Sequence, residues 1–218
     1  MCIDSNLYDH KVVRDELIRN TIAASVSMIP VAGGTLSLLF DKYLPSTEQK
    51  RRDKFLNDLS NDLESLPNLI TQRILNSEEY HNILLKTFKS ILEEDKTERI
   101  NGYRNILINA ANDEAPNFNE IDYFYKLLGE LVVDQIKILH LFYLRDCKET
   151  IWFTDIYDYI YSKWKEFDSN YCKVIIPEMM RYGIITNSIE SKREFGDGYH
   201  LTNFGKRFIL YIFSPIEL

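Results

Sequence analysis

The chain has 218 residues, 45% of them hydrophobic and 13% aromatic, and a formal net charge of −7. That length can cover roughly 70% of the unfolded surface without staples, and the apolar content excludes a disordered chain. The acidic balance repels phosphate backbones, so nucleic-acid binding requires a local basic face, while three widely spaced cysteines, Cys2, Cys147 and Cys172, read as free thiols of a reducing, cytoplasmic compartment.

Asp4, Asp9 and Asp15 precede any apolar run, so the first residues predict no secretory leader. From Thr21 to Phe40 the sequence TIAASVSMIPVAGGTLSLLF carries no charge. Its length meets the requirement for a ~30 Å hydrocarbon core. Its composition argues against a simple span, because Pro30 interrupts the hydrogen-bond ladder and Gly33 and Gly34 offer a turn. Split there, each half covers only ~15 Å. The residues fit first a buried helical hairpin with Ile22, Val26, Ile29, Leu36, Leu39 and Phe40 packed inside, and second a hairpin that leaves the core and inserts into a bilayer.

Ser46 opens a long helix, with Phe55, Leu59, Leu63 and Leu66 as its apolar stripe and Pro67 as its break. Ser77 caps the next helix, whose first turn holds Glu78 and Glu79. EDKTERINGYRNILINAAND predicts one more. The polar stretch NDEAPNFNE, with Pro116, reads as a linker, and Asn119 as the cap of the helix EIDYFYKLLGEL. These signals divide the chain into a helical bundle of about five helices over residues 1–118 and a second domain over residues 119–218.

In the second domain VDQIKILHLFYL is an amphipathic helix and TIWF a short strand. TDIYDYIYSKW, with Thr154 as its cap, is a second helix, and SNYCKVIIPEMMRYG a third, ending on Gly183. IITNSI and GYHLT predict a hairpin, and Thr202 caps a last helix, TNFGKRFILYIF. Helix, strand, helix, helix, hairpin, helix is the order of a winged helix. The predicted fold is therefore mainly α: a helical bundle with an apolar hairpin, then a C-terminal winged-helix domain.

The charges disfavour DNA reading by that domain. Its third helix holds Lys173 and Arg181 against Asp168 and Glu178, and in its wing Lys192 and Arg193 are flanked by Glu190 and Glu194. From Glu120 onward 12 basic residues face 15 acidic ones, which leaves little phosphate neutralisation. Lys173, Arg181, Lys192 and Arg193 are the candidate contacts for DNA or, with more support from the charge balance, for a protein.

No catalytic or cofactor constellation is present. Glu78 and His81 form one E-x-x-H pair with no second pair to complete a di-metal site. His140 sits among apolar residues as a hydrogen-bonded core group, and His200 beside Tyr199 as a half-exposed strand residue. Gly33-Gly34 lacks the Lys-Ser/Thr of a phosphate loop, and no serine or cysteine has a nucleophile-elbow context. The basic run EQKRRDK reads as a solvated helix face, and the Tyr and Phe residues between Tyr123 and Tyr161 as core at helical spacing.

Three stretches resemble the bacterial abortive-infection alpha proteins and their uncharacterised relatives. They are SMIPVAGGTLSLLFDKYLP followed by STEQKRRDKFLNDLSNDLESL, then NEIDYFYKLLGELVVDQIKILHLF, then YGIITN…GYHLTNFGKRFILYI. The resemblance implies a cytoplasmic protein of bacterial or prophage origin with a part in phage defence, and no catalytic residues. Two functions follow: a non-enzymatic defence protein working through protein contacts, with residues 21–40 as a membrane-inserting element, or a winged-helix transcriptional regulator.

Overall fold

The computed structural model describes residues 46–65, 73–112, 117–145, 150–163, 169–188 and 197–213. The apolar segment 21–40 lies outside the described residues, as do Pro67, Lys192 and Arg193. The described chain is mainly helical with one small three-stranded antiparallel sheet. It divides into two compact units that meet in sequence between Tyr123 and Phe124.

In the first unit α1 (Ser46–Ser65), α2 (Glu78–Glu93) and α3 (Thr97–Asn112) pack against one another. The α1 stripe of Phe55, Leu59 and Leu63 is buried, and Phe55 meets Phe88 of α2 edge-on at 6.0 Å. Ser77 caps α2 by accepting a hydrogen bond from the Tyr80 amide at 3.2 Å. α2 turns Tyr80, Ile83, Leu84, Phe88 and Ile91 inward at helical spacing. α3 is the central element, buried from Gly102 to Ala111 except at Arg104. Burial of each large apolar side chain is worth ~1.5–3 kcal/mol. Arg104 reaches α1 instead, donating to Asp58 Oδ2 at 3.1 Å. Its Nε lies 3.1 Å from Asp62 Oδ2, close enough for an ion pair but misaligned for a hydrogen bond. Burial lifts the Asp62 carboxyl above its ordinary range; Arg104 opposes the shift and Asp58 adds to it.

Two helix starts differ from the sequence expectation. α4 (Phe118–Glu130) is capped by Asn117, whose Oδ1 accepts from the Glu120 amide, and Asn119 falls within its first turn. α6 (Phe153–Lys163) likewise begins before Thr154. There the Trp152 amide donates to the Asp155 carboxylate at 2.9 Å, the contact that the third residue of a helix makes with the residue before its first turn.

In the second unit the first turn of α5 (Val133–Leu144) holds Gln135, whose Oε1 accepts from the Val132 amide at 2.9 Å. β1 (Ile151–Trp152) precedes α6, and α7 (Ser169–Arg181) follows it. α7 ends in a Schellman turn. Gly183 sits at φ +70°, its amide donates to the Met180 carbonyl, and the Ile184 amide donates to Met179. β2 (Ile185–Asn187) and β3 (Gly198–Leu201) are antiparallel, with Ile185 opposite Leu201 and Asn187 opposite Tyr199. β1 pairs with the other edge of β3, Ile151 opposite Tyr199, so the sheet order is β1-β3-β2.

The last helix, α8 (Asn203–Phe213), is joined to the end of α7 by Thr202. The Thr202 hydroxyl donates to the Gly183 carbonyl at 2.6 Å and accepts from the Gly205 amide at 2.9 Å, and the Thr202 amide donates to Ile184 at 3.0 Å. Phe124 packs among Phe204, Phe208 and Tyr211 of α8, with ring centroids 5.2–5.6 Å apart.

Candidate interaction surface

α7 is two-faced. Cys172, Ile175, Ile176 and Met179 point into the core and are at most 2% exposed. Asn170, Val174, Pro177 and Arg181, at spacings of four, three and four, form the outward stripe, and exposed Lys173 lies beside it. Val174 is 61% exposed, the most exposed large apolar side chain among the described residues. Tyr171 is exposed on α7 as well, while Leu144, Tyr161 and Leu210 lie on other helices. Single residues of that kind are ordinary on protein surfaces.

The local backbone suits such a face. Pro177 has no amide hydrogen, so the Lys173 carbonyl lacks its helical donor, and α7 nonetheless continues as helix to Arg181. Gln135 fixes the helix from below. Its Nε2 donates to the Ile175 carbonyl at 3.0 Å and to Glu178 Oε2 at 3.2 Å, while its Oε1 holds the start of α5. A buried amide so fully engaged sets the rotation of α7 about its axis.

The electrostatics of the face are divided. Among the described residues Lys173 has no ion-pair partner. Arg181 is 3.8 Å from Glu178 Oε1, a long contact with both side chains largely in water, and its guanidinium lies 5.6 Å from the Tyr182 ring centre. Tyr171 and Glu178 stand on the other flank, with Asp134 of α5 near them. Burial, then the Asp134 and Glu178 carboxylates, push the Tyr171 phenol up. Lys173 therefore stands on one edge of α7 and Tyr171 and Glu178 on the other, with Arg181 between them and nearer Glu178.

Of the residues singled out by the sequence, Lys173 and Arg181 share this one face. Lys192 and Arg193 lie outside the described residues, and so do Ile22, Val26, Ile29, Pro30, Gly33, Gly34, Leu36, Leu39 and Phe40. The stripe centred on Val174 and Pro177 was not anticipated; a helical wheel of α7 carries the signal, since its inward and outward positions separate cleanly.

The histidines take the environments their neighbours impose. His140 is half-buried, with Nδ1 3.0 Å from the Tyr159 hydroxyl and its ring against Phe213. His200 on β3 lies 3.3 Å from the Thr150 hydroxyl. Glu78 and His81 occupy the first turn of α2, Glu78 exposed and His81 half-buried. Between Tyr123 and Tyr161 the aromatic residues divide: Phe124, Tyr125 and Phe142 are core, whereas Tyr161 stacks on Tyr157 at 5.6 Å on a partly exposed side of α6. Among the described residues no group of three or more His, Cys, Asp or Glu is arranged to hold a metal ion, and no helix is long and apolar enough to cross a membrane.

Comparison with protein-family models, curated proteins and solved structures finds no match for the chain.

Proposed function

We propose that the chain is a non-enzymatic, cytoplasmic phage-defence protein of bacterial or prophage origin that acts through a protein contact made by the outer face of α7. In this reading residues 1–118 form a helical bundle whose apolar hairpin, residues 21–40, is the element that enters a bilayer on activation, and the second unit is a winged-helix domain. The order α5-β1-α6-α7-β2-β3, with β3 central in the sheet, supports the winged-helix assignment. The abortive-infection resemblance of the sequence supports the role in defence.

The observation that carries the protein-contact reading is Val174, 61% exposed on the helix that a DNA-binding winged helix would place in the major groove. Exposed apolar area bounded by charge is the make-up of a protein interface core and rim. A second reading, a winged-helix DNA-binding regulator, is favoured by one observation: Lys173 and Arg181 are both exposed on that same helix face.

Phage plating on cells producing the protein tests the reading. Plating efficiency is expected to fall with the wild-type chain and to recover with Val174→Asp, a surface change that leaves the fold intact. Unchanged plating over a broad phage panel would remove the defence role. Submicromolar, salt-sensitive binding to duplex DNA would move the assignment to the regulator. Dye release from anionic vesicles at micromolar protein tests the bilayer role of residues 21–40, and no release would confine that segment to the core.

A further inference from the structure

The geometry points to an acidic protein segment as the occupant of the α7 face, one that seats an apolar residue on Val174 and Pro177 and sets a carboxylate against each of Lys173 and Arg181. The inference rests on the protein-contact reading above and adds the chemistry of the partner.

Charge placement carries it. Lys173 and Arg181 are eight residues apart on one helix, about 12 Å along its axis, and the exposed Val174 and Pro177 lie between them in sequence. Lys173 has no ion-pair partner among the described residues, and the Arg181 charge is met by the Tyr182 ring and by Glu178 at 3.8 Å. Two under-compensated cations with an apolar centre between them match an acidic, amphipathic segment.

Nucleic acid is the competing polyanion, and the other flank of α7 discriminates against it. Duplex DNA carries a charge every ~1.7 Å of axis and cannot keep its phosphates away from Glu178, whereas Asp134 beside it is already met by Lys137 at 3.1 Å. A peptide has discrete carboxylates. It places them opposite Lys173 and Arg181 and leaves neutral or basic residues opposite the acidic flank. With two cations on the face, the salt slope for DNA would also be only about 2, too shallow for strong nonspecific binding.

The test is a displayed random-peptide selection against the full chain, with the enriched peptides then synthesised and titrated by fluorescence anisotropy. Enriched sequences are expected to carry at least two Asp or Glu residues around an aromatic or aliphatic one. Their affinity should fall roughly tenfold for the pair Lys173→Glu and Arg181→Glu and for Val174→Asp, and fall with added salt. A selection repeated on the charge-reversed chain should enrich basic sequences. The milder pair Lys173→Gln and Arg181→Gln, expected to bind several-fold more weakly than wild type, separates lost charge from disturbed folding. Enriched peptides without acidic excess, no enrichment over the charge-reversed chain, or tighter binding of a random-sequence duplex than of any selected peptide would each overturn the proposal. If plating still recovers with Val174→Asp in those cases, the protein-contact reading survives and only the partner chemistry is wrong.

Discussion

Replacing Gly205 by alanine should unfold the second unit at a markedly lower temperature, although the same change in most helices stabilises. Gly205 lies in the first turn of α8 against the turn that closes α7. An added Cβ there would fall inside the van der Waals radius of the Ile184 carbonyl oxygen, 2.9 Å from its carbon and 3.2 Å from its Cα. The obstacle is backbone, so no side chain can swing away. Restoring ordinary carbon–carbon contact at ~3.5 Å requires α8 to retreat by about half an ångström or more. That movement stretches the Thr202 amide bond to Ile184 and the two hydroxyl bonds of Thr202, to Gly183 and from Gly205. Overpacking of this kind costs ~1–3 kcal/mol, and each weakened hydrogen bond ~0.5–1.5 kcal/mol, against a helix-propensity gain of ~1 kcal/mol. The net is a loss of ~3 kcal/mol. For a unit of about 90 residues, that lowers the melting temperature by roughly 12–24 °C. Tryptophan fluorescence reads this unit alone, because both tryptophans, Trp152 and Trp164, lie within it. Gly129→Ala, at an exposed helical position, is the control and should be neutral or slightly stabilising. A Gly205→Ala chain as stable as the wild type would refute the close approach of α8 to Ile184.

Gln135→Leu should cost ~2–3 kcal/mol in urea unfolding, since it strands the Val132 amide and removes both donors to α7; a cost under ~1 kcal/mol would show that the amide network does not hold that helix. Tyr80→Phe should be neutral or stabilising by up to ~1 kcal/mol, because the fully buried Tyr80 hydroxyl has no hydrogen-bond partner among the described residues; a loss above ~1 kcal/mol would reveal a partner. Asp62 has its folded-state carboxyl raised above the unfolded value, so its ionisation opposes folding above the folded pKa and that opposition disappears as the pH falls below the unfolded value. Asp62→Asn, followed by far-ultraviolet circular dichroism, should therefore compare more favourably with wild type at pH 7 than at pH 4, and the opposite order would mean that Arg104 outweighs burial.

Much of the fold was legible because its signals are local. The Phe55, Leu59 and Leu63 stripe, the Ser77 and Thr202 caps and the glycine stop at Gly183 each depend on residues within a few positions of one another, and β2 and β3 are successive strands of one hairpin. The two misplaced helix starts show where local reading fails. Asn117 and Asn119 are equally good caps in isolation, and in the fold it is Asn117 whose Oδ1 accepts from the Glu120 amide. α6 starts at Phe153, ahead of Thr154, and Asp155 in its first turn meets both the Trp152 amide and, at 3.4 Å, Arg145 at the end of α5, a contact that no local pattern encodes. The position of β1 on the outer edge of β3 is of the same kind, since Ile151 and Tyr199 are far apart in sequence.

The interaction surface was legible as charge and on a helical wheel of α7, which sets Val174 with Asn170, Pro177 and Arg181 and apart from Cys172, Ile175, Ile176 and Met179. That orientation is held by Gln135, a buried polar residue of another helix, which takes the Ile175 carbonyl and one oxygen of Glu178. Gln135 holds Oε2 of Glu178, while Oε1 lies 3.8 Å from Arg181, too long for a paired, aligned contact. The packing that holds α7 and the carboxylate beside Arg181 thus meet at one side chain, Gln135.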